Sequence, residues 1–534
     1  MYCDKQHVNQ LTSLLLEYDI RHVIVCPGSR NGILVHNFHV DPAFQCYPVT
    51  DERSAAFFAI GLSQAIERPV AVCVTSGSAL LNTLPAVAEA YYQHIPLIIL
   101  SADRPMCWID QQDGQTLHQP HALHPYTRKA IQLTEPTQEE DHWWNNRLIN
   151  EALLTLTDRD KGPVHINIPI SEPLFTFHTN CLSKERVIKK YTALYTPLPD
   201  EITQIIRQAQ FPVLVLGQML PFDTRALQLL DDTHQLFVIP ELISNTPFSD
   251  RIAQIEQVLK NDPDTFTPDV VVYAGGNLVH KQLKNNLRKQ NVKHLIRISE
   301  ESGICDTFCQ TTAIIETTLV DFLTQLVPQL CNENGKETLL RFKQQLQKAA
   351  KPLDTPIEFC DAGVMQQIGL SITPKHVLHL ANSSVVRNAV HLRQPIPCPV
   401  YCNRGVNGIE GSLSTAVGYA VGNASCMVLC LIGDLSFFYD QNALWNSNLR
   451  NNLRILLFNN GGGRIFHHLP GLHESPARDN YIAAAHQTTA KGIAEAHHLT
   501  YLTADNYTTL HEALSVWFSP TAEHPILLEV FTSK

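Results

Sequence analysis

The sequence predicts an α/β protein made of three doubly wound parallel sheets. With 534 residues the chain is too long for one hydrophobic core and has room for three domains of about 150 to 200 residues. Along its whole length, short runs rich in β-branched residues alternate with stretches of helical length. Nearly every run ends in Gly, Pro, Asn, Ser or Asp, which is typical of strands in parallel sheets. These three observations together predict the fold class.

The apolar runs fall into three groups along the chain. The first group consists of HVIVCPG (22–28), FQCYPVT (44–50), VAVCVTSG (70–77), LIILSAD (97–103) and VHINIP (164–169). The second consists of PVLVLG (212–217), LFVIP (236–240), VVVYAGG (270–276) and HLIRIS (294–299). The third consists of HVLHLAN (376–382), PVYCN (399–403), MVLCLIGD (427–434), RILLFNN (454–460) and ILLEVF (526–531). Polar connectors separate the groups, so we predict domains over residues 1–190, 195–350 and 360–534.

The composition excludes several classes of partner. The formal net charge is −11 and the pI is near 6.1, whereas nucleic acids and anionic membranes require a basic surface. No uninterrupted apolar stretch approaches the roughly 20 residues that span a bilayer. The 14 cysteines are scattered singly, as reduced cysteines are in cytosolic proteins. We therefore expect a soluble cytoplasmic protein that binds neither nucleic acid nor membrane.

The strongest local signal is a pair of polar turns, Gly433-Asp434 and Asn459-Asn460, at the ends of two successive predicted strands. A helix predicted over residues 439–449 would connect the strands and bring both turns to one edge of a sheet. Carboxylate, amide and backbone carbonyl oxygens suit Mg²⁺ rather than zinc. The neighbouring glycines let a diphosphate approach the backbone. The turns therefore predict a metal–diphosphate site, and the alternative is that Asp434 only caps a helix beside a flexible turn.

These turns resemble the cofactor motif of the decarboxylase-type thiamine diphosphate (ThDP) enzymes, since Asn460 follows Asp434 by 26 residues. The whole chain is similar to the 2-succinyl-5-enolpyruvyl-6-hydroxy-3-cyclohexene-1-carboxylate (SEPHCHC) synthases of menaquinone biosynthesis. The matching stretches are CPGSR (26–30), TDERSAAFFAIGL (50–62), TSGSALLN (75–82), SADRP (101–105), NSSVVR (382–387), NRGVNGIEG (403–411), GDLSFFYD (433–440) and NNGGGRIF (459–466). The resemblance implies an N-terminal pyrimidine-binding domain, a central domain without an intact dinucleotide fingerprint and a C-terminal diphosphate-binding domain.

The resemblance further implies that the protein binds ThDP together with Mg²⁺ or Mn²⁺. The Asp434 carboxylate, the Asn460 side chain and the Gly462 carbonyl would hold the metal. The implied cofactor-binding residues are Glu52, Ser383, Gly408, Ile409, Gly433, Asp434, Leu435, Ser436, Asn460, Gly462 and Ile465.

Glu52 is the implied catalytic residue. ThDP reacts only when its own aminopyrimidine takes the imino form, which requires a carboxyl group at the ring nitrogen, and Glu52 in DER matches that group. Taken alone, an Asp-Glu pair that opens a helix is more often a favourable charge in the first helical turn. Ile409 would be the apolar wedge beneath the bent cofactor, and its alternative role is that of an ordinary core residue.

The implied activity is that of a transferase. It decarboxylates 2-oxoglutarate and adds the resulting carbanion to isochorismate in a 1,4 sense, which gives SEPHCHC and CO₂. Both substrates are dianions, so an acidic protein must concentrate arginine at the site, and four arginines follow predicted strands. The implied substrate-binding residues are Ser29, Arg30, Arg104, Gln115, Lys281, Arg387, Arg404, Ile465 and Phe466.

The sequence departs from the family pattern at two places near the proposed site. Asn31-Gly32-Ile33 lacks the family's proline, which predicts a looser turn after Arg30. The basic pair of the central domain is reduced to Lys281-Gln282, which puts the role of Lys281 in doubt.

The resemblance also implies a homodimer, or a dimer of dimers, with the active site at the subunit interface. Two other functions stay open at this point. One is a different ThDP-dependent 2-oxo acid decarboxylase or carboligase, of the acetolactate synthase or benzoylformate decarboxylase type. The other is a catalytically silent regulatory homologue, which the presence of Glu52 and Asp434 disfavours.

Overall fold

The computed structural model describes residues 1–191, 197–301, 303–331, 333–349, 358–392 and 394–532. Within these ranges the strands form three parallel sheets whose strands alternate with helices, which confirms the predicted fold class. The predicted domain limits at residues 195 and 350 lie outside the described residues, so the three domain ranges stay a prediction. Among the described helices, none has the length and hydropathy that a membrane span requires.

The first sheet has six strands in the order β2-β1-β3-β4-β6-β5. These strands are β1 (His22–Val25), β2 (Gln45–Pro48), β3 (Val70–Val74), β4 (Leu97–Asp103), β5 (Lys129–Gln132) and β6 (Val164–Pro169). Six α-helices accompany them: α1 (Gln6–Glu17), α2 (Gly32–Val40), α3 (Glu52–Ile66), α4 (Ser78–Asn82), α5 (Leu84–Gln93) and α6 (Glu139–Leu156). The apolar side chains of the strands and of α1, α2 and α6 form one core.

The second sheet has five strands in the order β11-β10-β9-β7-β8. They are β7 (Pro212–Leu216), β8 (Phe237–Pro240), β9 (Val270–Ala274), β10 (His294–Ser299) and β11 (Ala313–Glu316). The helices are α7 (Asp200–Gln208), α8 (Arg225–Asp232), α9 (Arg251–Asn261), α10 (Lys281–Lys289), α11 (Leu319–Leu326) and α12 (Lys336–Ala349). Separate apolar cores cover the two faces of this sheet, as in doubly wound folds.

The third sheet has six strands in the order β13-β12-β14-β15-β17-β16. They are β12 (His376–Leu380), β13 (Val400–Cys402), β14 (Met427–Gly433), β15 (Leu453–Phe458), β16 (Thr500–Ala504) and β17 (Ile526–Val530). The helices are α13 (Asp361–Gly369), α14 (Ser384–Asn388), α15 (Ser412–Gly422), α16 (Asp434–Tyr439), α17 (Lys491–Ala496) and α18 (Tyr507–Trp517).

Three strands, β5, β11 and β16, are absent from the sequence prediction, and each lies at one edge of its sheet. Their sequences are KAIQ, AIIE and TYLTA, and most of their residues are only partly buried. An edge strand has a neighbour on one side only and packs less apolar surface, so its sequence lacks the continuous apolar run that marks a central strand.

The connection between β14 and β15 also differs from the prediction. Helix α16 starts at Asp434, directly after the strand, and only a short 3₁₀ helix follows it, so the helix predicted over residues 439–449 is wrong. Residues 445–452 contain four asparagines, and all four side chains donate to backbone carbonyls. The hydrogen bond from Asn446 to the Ala443 carbonyl is local and competes with helix formation, whereas the other three asparagines bind distant segments.

The chain divides into two compact units. One comprises Met1–Thr192, Asn403–Leu502 and Ser519–Glu529, and the other comprises Ala193–Cys402, Thr503–Phe518 and Val530–Lys534. Most of the predicted site residues belong to the first unit. Lys281, Ser383 and Arg387 belong to the second.

Inside the first unit, α3 and α15 pack closely because glycine lies at their contact. A Cβ atom on Gly61 of α3 would lie 1.8 Å from the Thr415 carbonyl oxygen, and one on Gly418 of α15 would lie 2.0 Å from the Phe58 carbonyl oxygen. Only glycine allows two helix backbones to approach so closely. This contact sets the position of Glu52, the first residue of α3, relative to the segment that precedes α15.

Candidate active site

Asp434 is the most constrained of the predicted site residues. It is the first residue of α16 and is buried, 4% exposed. Its Oδ2 atom accepts hydrogen bonds from the amides of Gly461 and Gly462, both at 2.9 Å, and its Oδ1 atom accepts one from the Leu435 amide at 2.7 Å. Strands β14 and β15 are parallel neighbours, with Gly433 opposite Phe458. The two polar turns therefore meet at one sheet edge, as the sequence indicates.

The glycines after Asn460 are required by the conformation of this turn. Gly461 and Gly462 have φ values of +80° and +137°, which side-chain-bearing residues rarely adopt. A Cβ atom on Gly462 would also lie 2.7 Å from the Ala483 carbonyl oxygen. The Gly463 amide donates to that same oxygen at 2.6 Å. Residues 460–463, hereafter the glycine turn, are thus folded tightly against the Asp434 carboxylate.

The donor atoms at this turn fit a hard divalent cation. Asp434 offers a carboxylate, Asn460 an amide oxygen and Gly462 a backbone carbonyl, which are the ligand types that Mg²⁺ and Mn²⁺ take. Among the described residues, no cluster of three or more His, Cys, Asp or Glu side chains could hold a metal. Besides Asp434, the protein ligands at this turn would be amide and carbonyl oxygens, and the glycine backbone leaves room for a diphosphate beside them.

Glu52 begins α3, where the side chain of the preceding residue, Asp51, accepts a hydrogen bond from the Ser54 amide. The half-buried Glu52 carboxylate accepts a hydrogen bond from the Asn82 amide group at 3.1 Å. Both neighbours of Glu52 bind the end of α16 or the segment that follows it. Asp51 accepts from Asn442 at 2.7 Å, and Arg53 donates to the Tyr439 carbonyl at 2.6 Å. The start of α3 is therefore anchored beside the end of the helix that Asp434 starts.

Residues 403–411, hereafter the Arg404 loop, carry Arg404, Gly408 and Ile409. The Ile409 side chain is 37% exposed, so it is not an ordinary core residue. Its carbonyl accepts a hydrogen bond from the Ser436 hydroxyl, which ties the Arg404 loop to the first turn of α16. The structure thus brings Ile409, Ser436, Asp434 and the glycine turn together.

Glu89 also holds the Arg404 loop, and the sequence analysis missed it. It lies buried on α5, where its two carboxylate oxygens accept hydrogen bonds from the amides of Gly405 and Val406 at 2.7 and 2.8 Å. Burial raises the pKa of Glu89, and the hydrogen bonds from Val406, Gly405 and Gln93 lower it in part. The sequence signal that could have identified Glu89 is a charged residue on the buried side of an apolar helix.

Replacement of Glu89 by Ala is expected to lower the free energy of unfolding by about 2 to 4 kcal/mol, because two loop amides lose a charged acceptor. Glu89→Gln keeps one acceptor oxygen and should lose less. Urea unfolding followed by tryptophan fluorescence measures both changes, with Glu17→Ala, an exposed position at the end of α1, as the control. A Glu89→Ala protein as stable as the wild type would show that Glu89 does not hold the loop.

Two of the predicted substrate arginines of the first unit, Arg30 and Arg104, already bind other protein groups. Arg30 is buried, donates to the Ile170 carbonyl at 2.8 Å and pairs with Glu172 at 3.1 Å. Arg104 donates to the Gly114 carbonyl at 3.0 Å and lies 3.3 Å from an Asp113 carboxylate oxygen. Gln115, at a φ of +58°, packs its backbone against Gly77. These contacts set where the guanidinium groups lie before any ligand binds.

The turn after Arg30 is not loose, contrary to the expectation from its missing proline. Asn31 is fully buried, and its side-chain amide donates to the Cys26 carbonyl at 2.9 Å. This hydrogen bond replaces the conformational restriction that proline would have supplied. Ser29, by contrast, is exposed, and Ile465 and Phe466 are half-buried in a short 3₁₀ helix after the glycine turn.

In the second unit, Arg387 donates to the Ser383 carbonyl at 2.7 Å. Lys281 is exposed at the start of α10. The residue before it, His280, is buried and lies 2.7 Å from the Glu241 carboxylate. Burial alone would lower the pKa of His280, but the Glu241 carboxylate raises it above its usual value. The sequence analysis did not identify this His–Glu pair.

A second histidine missed by the sequence analysis lies at the centre of the site. The Nε2 atom of His486 is 3.3 Å from Asp434 Oδ2. His486 is far from the glycine turn in the sequence, in a segment without a recognisable motif.

Comparison with known proteins agrees with this geometry. Residues 6–123 match the family model described as thiamine pyrophosphate enzyme, N-terminal TPP binding domain, and residues 386–530 match its C-terminal TPP binding domain. A protein of Bacteroides thetaiotaomicron named 2-succinyl-5-enolpyruvyl-6-hydroxy-3-cyclohexene-1-carboxylate synthase is 43% identical, over 100% of this chain and 97% of its own. Proteins of the same name from Phocaeicola vulgatus and Flavobacterium johnsoniae are 42% and 36% identical, over 100% and 96% of this chain and over 97% and 93% of their own. The chain therefore belongs to the 2-succinyl-5-enolpyruvyl-6-hydroxy-3-cyclohexene-1-carboxylate synthase family of thiamine pyrophosphate enzymes.

Proposed function

We propose that the protein is a transferase that decarboxylates 2-oxoglutarate and joins the remaining four-carbon unit to isochorismate, giving SEPHCHC and CO₂ in menaquinone biosynthesis. The observation that carries the proposal is the Asp434 carboxylate held by the amides of Gly461 and Gly462, in a chain that matches synthases of this name over its full length.

ThDP, when bound, supplies the electron sink for decarboxylation, and Mg²⁺ or Mn²⁺ neutralises its diphosphate. Asp434, Asn460 and the Gly462 carbonyl would hold the cation. Gly433, Leu435 and Ser436 lie in the same turn and would line the diphosphate, and Gly408, Ile465 and Ser383 complete the proposed cofactor contacts. Ile409 presents an exposed apolar side chain that would support the cofactor rings.

Glu52 would hold a proton at its carboxylate oxygen, opposite a ring nitrogen of the cofactor. Its position at the start of α3 is set by the hydrogen bonds of Asp51 and Arg53, which limit the movement of the helix end. The Asn82 amide, which donates to the same carboxylate, keeps the side chain in one orientation.

The substrates carry two negative charges each, and a protein of net charge −11 attracts them only where cations are concentrated. Arg30, Arg104, Arg387 and Arg404 would bind their carboxylates, each as a charge-assisted hydrogen bond. Ser29, Gln115 and Lys281 would add polar contacts. Ile465 and Phe466 would exclude water from the reacting carbon.

We also propose that the protein works in the cytoplasm as a homodimer or dimer of dimers, with its active site at the subunit interface. All 14 cysteines are free, which fits a reducing compartment. Large apolar side chains near the proposed site, Val406, Ile409, Tyr439 and Trp445, are exposed in the single chain. An interface with a second subunit would cover such side chains.

The experiment that tests the reaction incubates the purified protein with ThDP, Mg²⁺, 2-oxoglutarate and isochorismate. We expect isochorismate to disappear only when all components are present, with one CO₂ released for each isochorismate consumed. Pyruvate in place of 2-oxoglutarate should give no consumption. Equal consumption with pyruvate would identify a carboligase for small 2-oxo acids, and no reaction with either acid would identify a catalytically silent homologue.

A further inference from the structure

The His486 side chain is held rigidly beside the glycine turn. Its backbone amide donates to the Gly461 carbonyl at 3.1 Å, and its ring lies edge-on to Phe438, with the ring centres 5.4 Å apart. Its Nδ1 atom accepts a hydrogen bond from the Thr488 amide at 3.1 Å. Because Nδ1 is the acceptor in that bond, the proton of the neutral ring lies on Nε2.

The Nε2–H group of His486 lies beside the proposed metal ligand Asp434. The Nε2 atom is buried and has no hydrogen-bond partner of good geometry among the described residues, yet it lies 3.3 Å from Asp434 Oδ2. The side chain as a whole is only 16% exposed. A small rotation of either side chain would align the Nε2–H group with Oδ2 and form a hydrogen bond.

Oδ1 and Oδ2 of Asp434 consequently differ in the number of donors around them. Oδ2 already accepts hydrogen bonds from the Gly461 and Gly462 amides, and His486 Nε2 is a third N–H group beside it. Oδ1 accepts a hydrogen bond only from the Leu435 amide among the described contacts. Oδ1 is therefore the oxygen that keeps a lone pair for a cation.

We propose that His486 is a positioning residue that holds Asp434 Oδ2 and so presents Oδ1 to the divalent cation of the cofactor. The inference rests on the proposed cofactor site, because it concerns the orientation of Asp434, one metal ligand of that site. Second-sphere hydrogen bonds of this kind fix the direction of a ligand and increase metal affinity.

The test measures Mn²⁺ binding directly, from the electron paramagnetic resonance signal of free Mn²⁺ in a titration of the protein in the presence of ThDP. His486→Ala should weaken Mn²⁺ binding by about 10- to 100-fold. His486→Gln, whose amide can donate at a similar position, should recover most of the affinity. His524→Ala, at an exposed position, is the matched control and should bind as the wild type does.

A second measurement distinguishes the proposed positioning role of His486 from a purely structural role. The thermal unfolding midpoint of the metal-free His486→Gln protein should equal that of the wild type, so that any change in its affinity reports on the ligand. Wild-type affinity in the folded His486→Ala protein would overturn the inference, as would a folded His486→Gln protein that binds as weakly as His486→Ala. A wild-type protein that binds no Mn²⁺ with ThDP would overturn the proposed cofactor site itself.

Discussion

Replacement of Glu52 by Gln is expected to reduce turnover by about 10²- to 10⁴-fold, the range for the loss of a positioned proton-transfer group. Gln has the same size and still accepts a hydrogen bond from Asn82, so the start of α3 should keep its structure. It cannot hold or release a proton. The turnover number at saturating ThDP measures the effect, and a titration of intrinsic fluorescence with ThDP should give nearly unchanged cofactor affinity.

The matched control for this prediction is Glu67→Gln at the opposite end of the same helix. Glu67 is exposed, so its replacement should leave turnover unchanged. Unchanged turnover in Glu52→Gln would contradict the proposed catalytic role and would favour its alternative role as a charge that stabilises the first helical turn. A loss of cofactor affinity as large as the loss of turnover would show that Glu52 serves binding instead.

The second large effect is expected for Asp434→Asn, which should weaken binding of Mg²⁺ and ThDP by about 100-fold or more. The substitution removes the only carboxylate of the proposed ligand set. An interaction with a charged group contributes roughly 1.5 to 3 kcal/mol to the free energy of binding. The substitution also replaces an acceptor by an NH₂ group at one of two positions that face backbone amides, since Oδ1 and Oδ2 of Asp434 both accept hydrogen bonds. Isothermal titration of ThDP at fixed Mg²⁺ measures the loss.

Asp440→Asn provides the control for Asp434→Asn, because Asp440 is also a buried carboxylate and lies just after the end of α16. Asp440 binds the amide and hydroxyl of Ser414, and burial raises its pKa to about 6. Its replacement should change stability but leave cofactor affinity unchanged. If both variants lose affinity equally, the effect of Asp434→Asn comes from damage to α16 and not from a lost ligand.

Much of the fold follows from local sequence. Central strands such as β3 and β14 are buried on both faces, so they must be continuous apolar runs, which are visible without a structure. The edge strands β5, β11 and β16 lack such runs and were missed. The helix predicted over residues 439–449 was wrong, because the Asn446 side chain there binds the nearby Ala443 carbonyl in competition with a helix.

Part of the site also follows from sequence. Successive strands of a parallel βαβ unit end at the same edge, so the meeting of Asp434 with the turn after Asn460 was predictable. The role of glycine in that turn was likewise predictable, because only glycine adopts the required φ values. The partners of Glu89, His280 and His486 were not predictable, since each binds residues that are distant in the sequence.

The sequence by itself determined the fold class and the family, and it predicted the residues of a ThDP site, because apolar periodicity and short motifs are local properties of the chain. Only the tertiary structure decided that Glu89 holds the Arg404 loop, that Arg30 is paired with Glu172, and that His486 faces one oxygen of Asp434. Those contacts depend on hydrogen-bond directions and distances of a few ångströms between separate segments. Such geometry arises from packing of the whole unit and leaves no local pattern in the sequence.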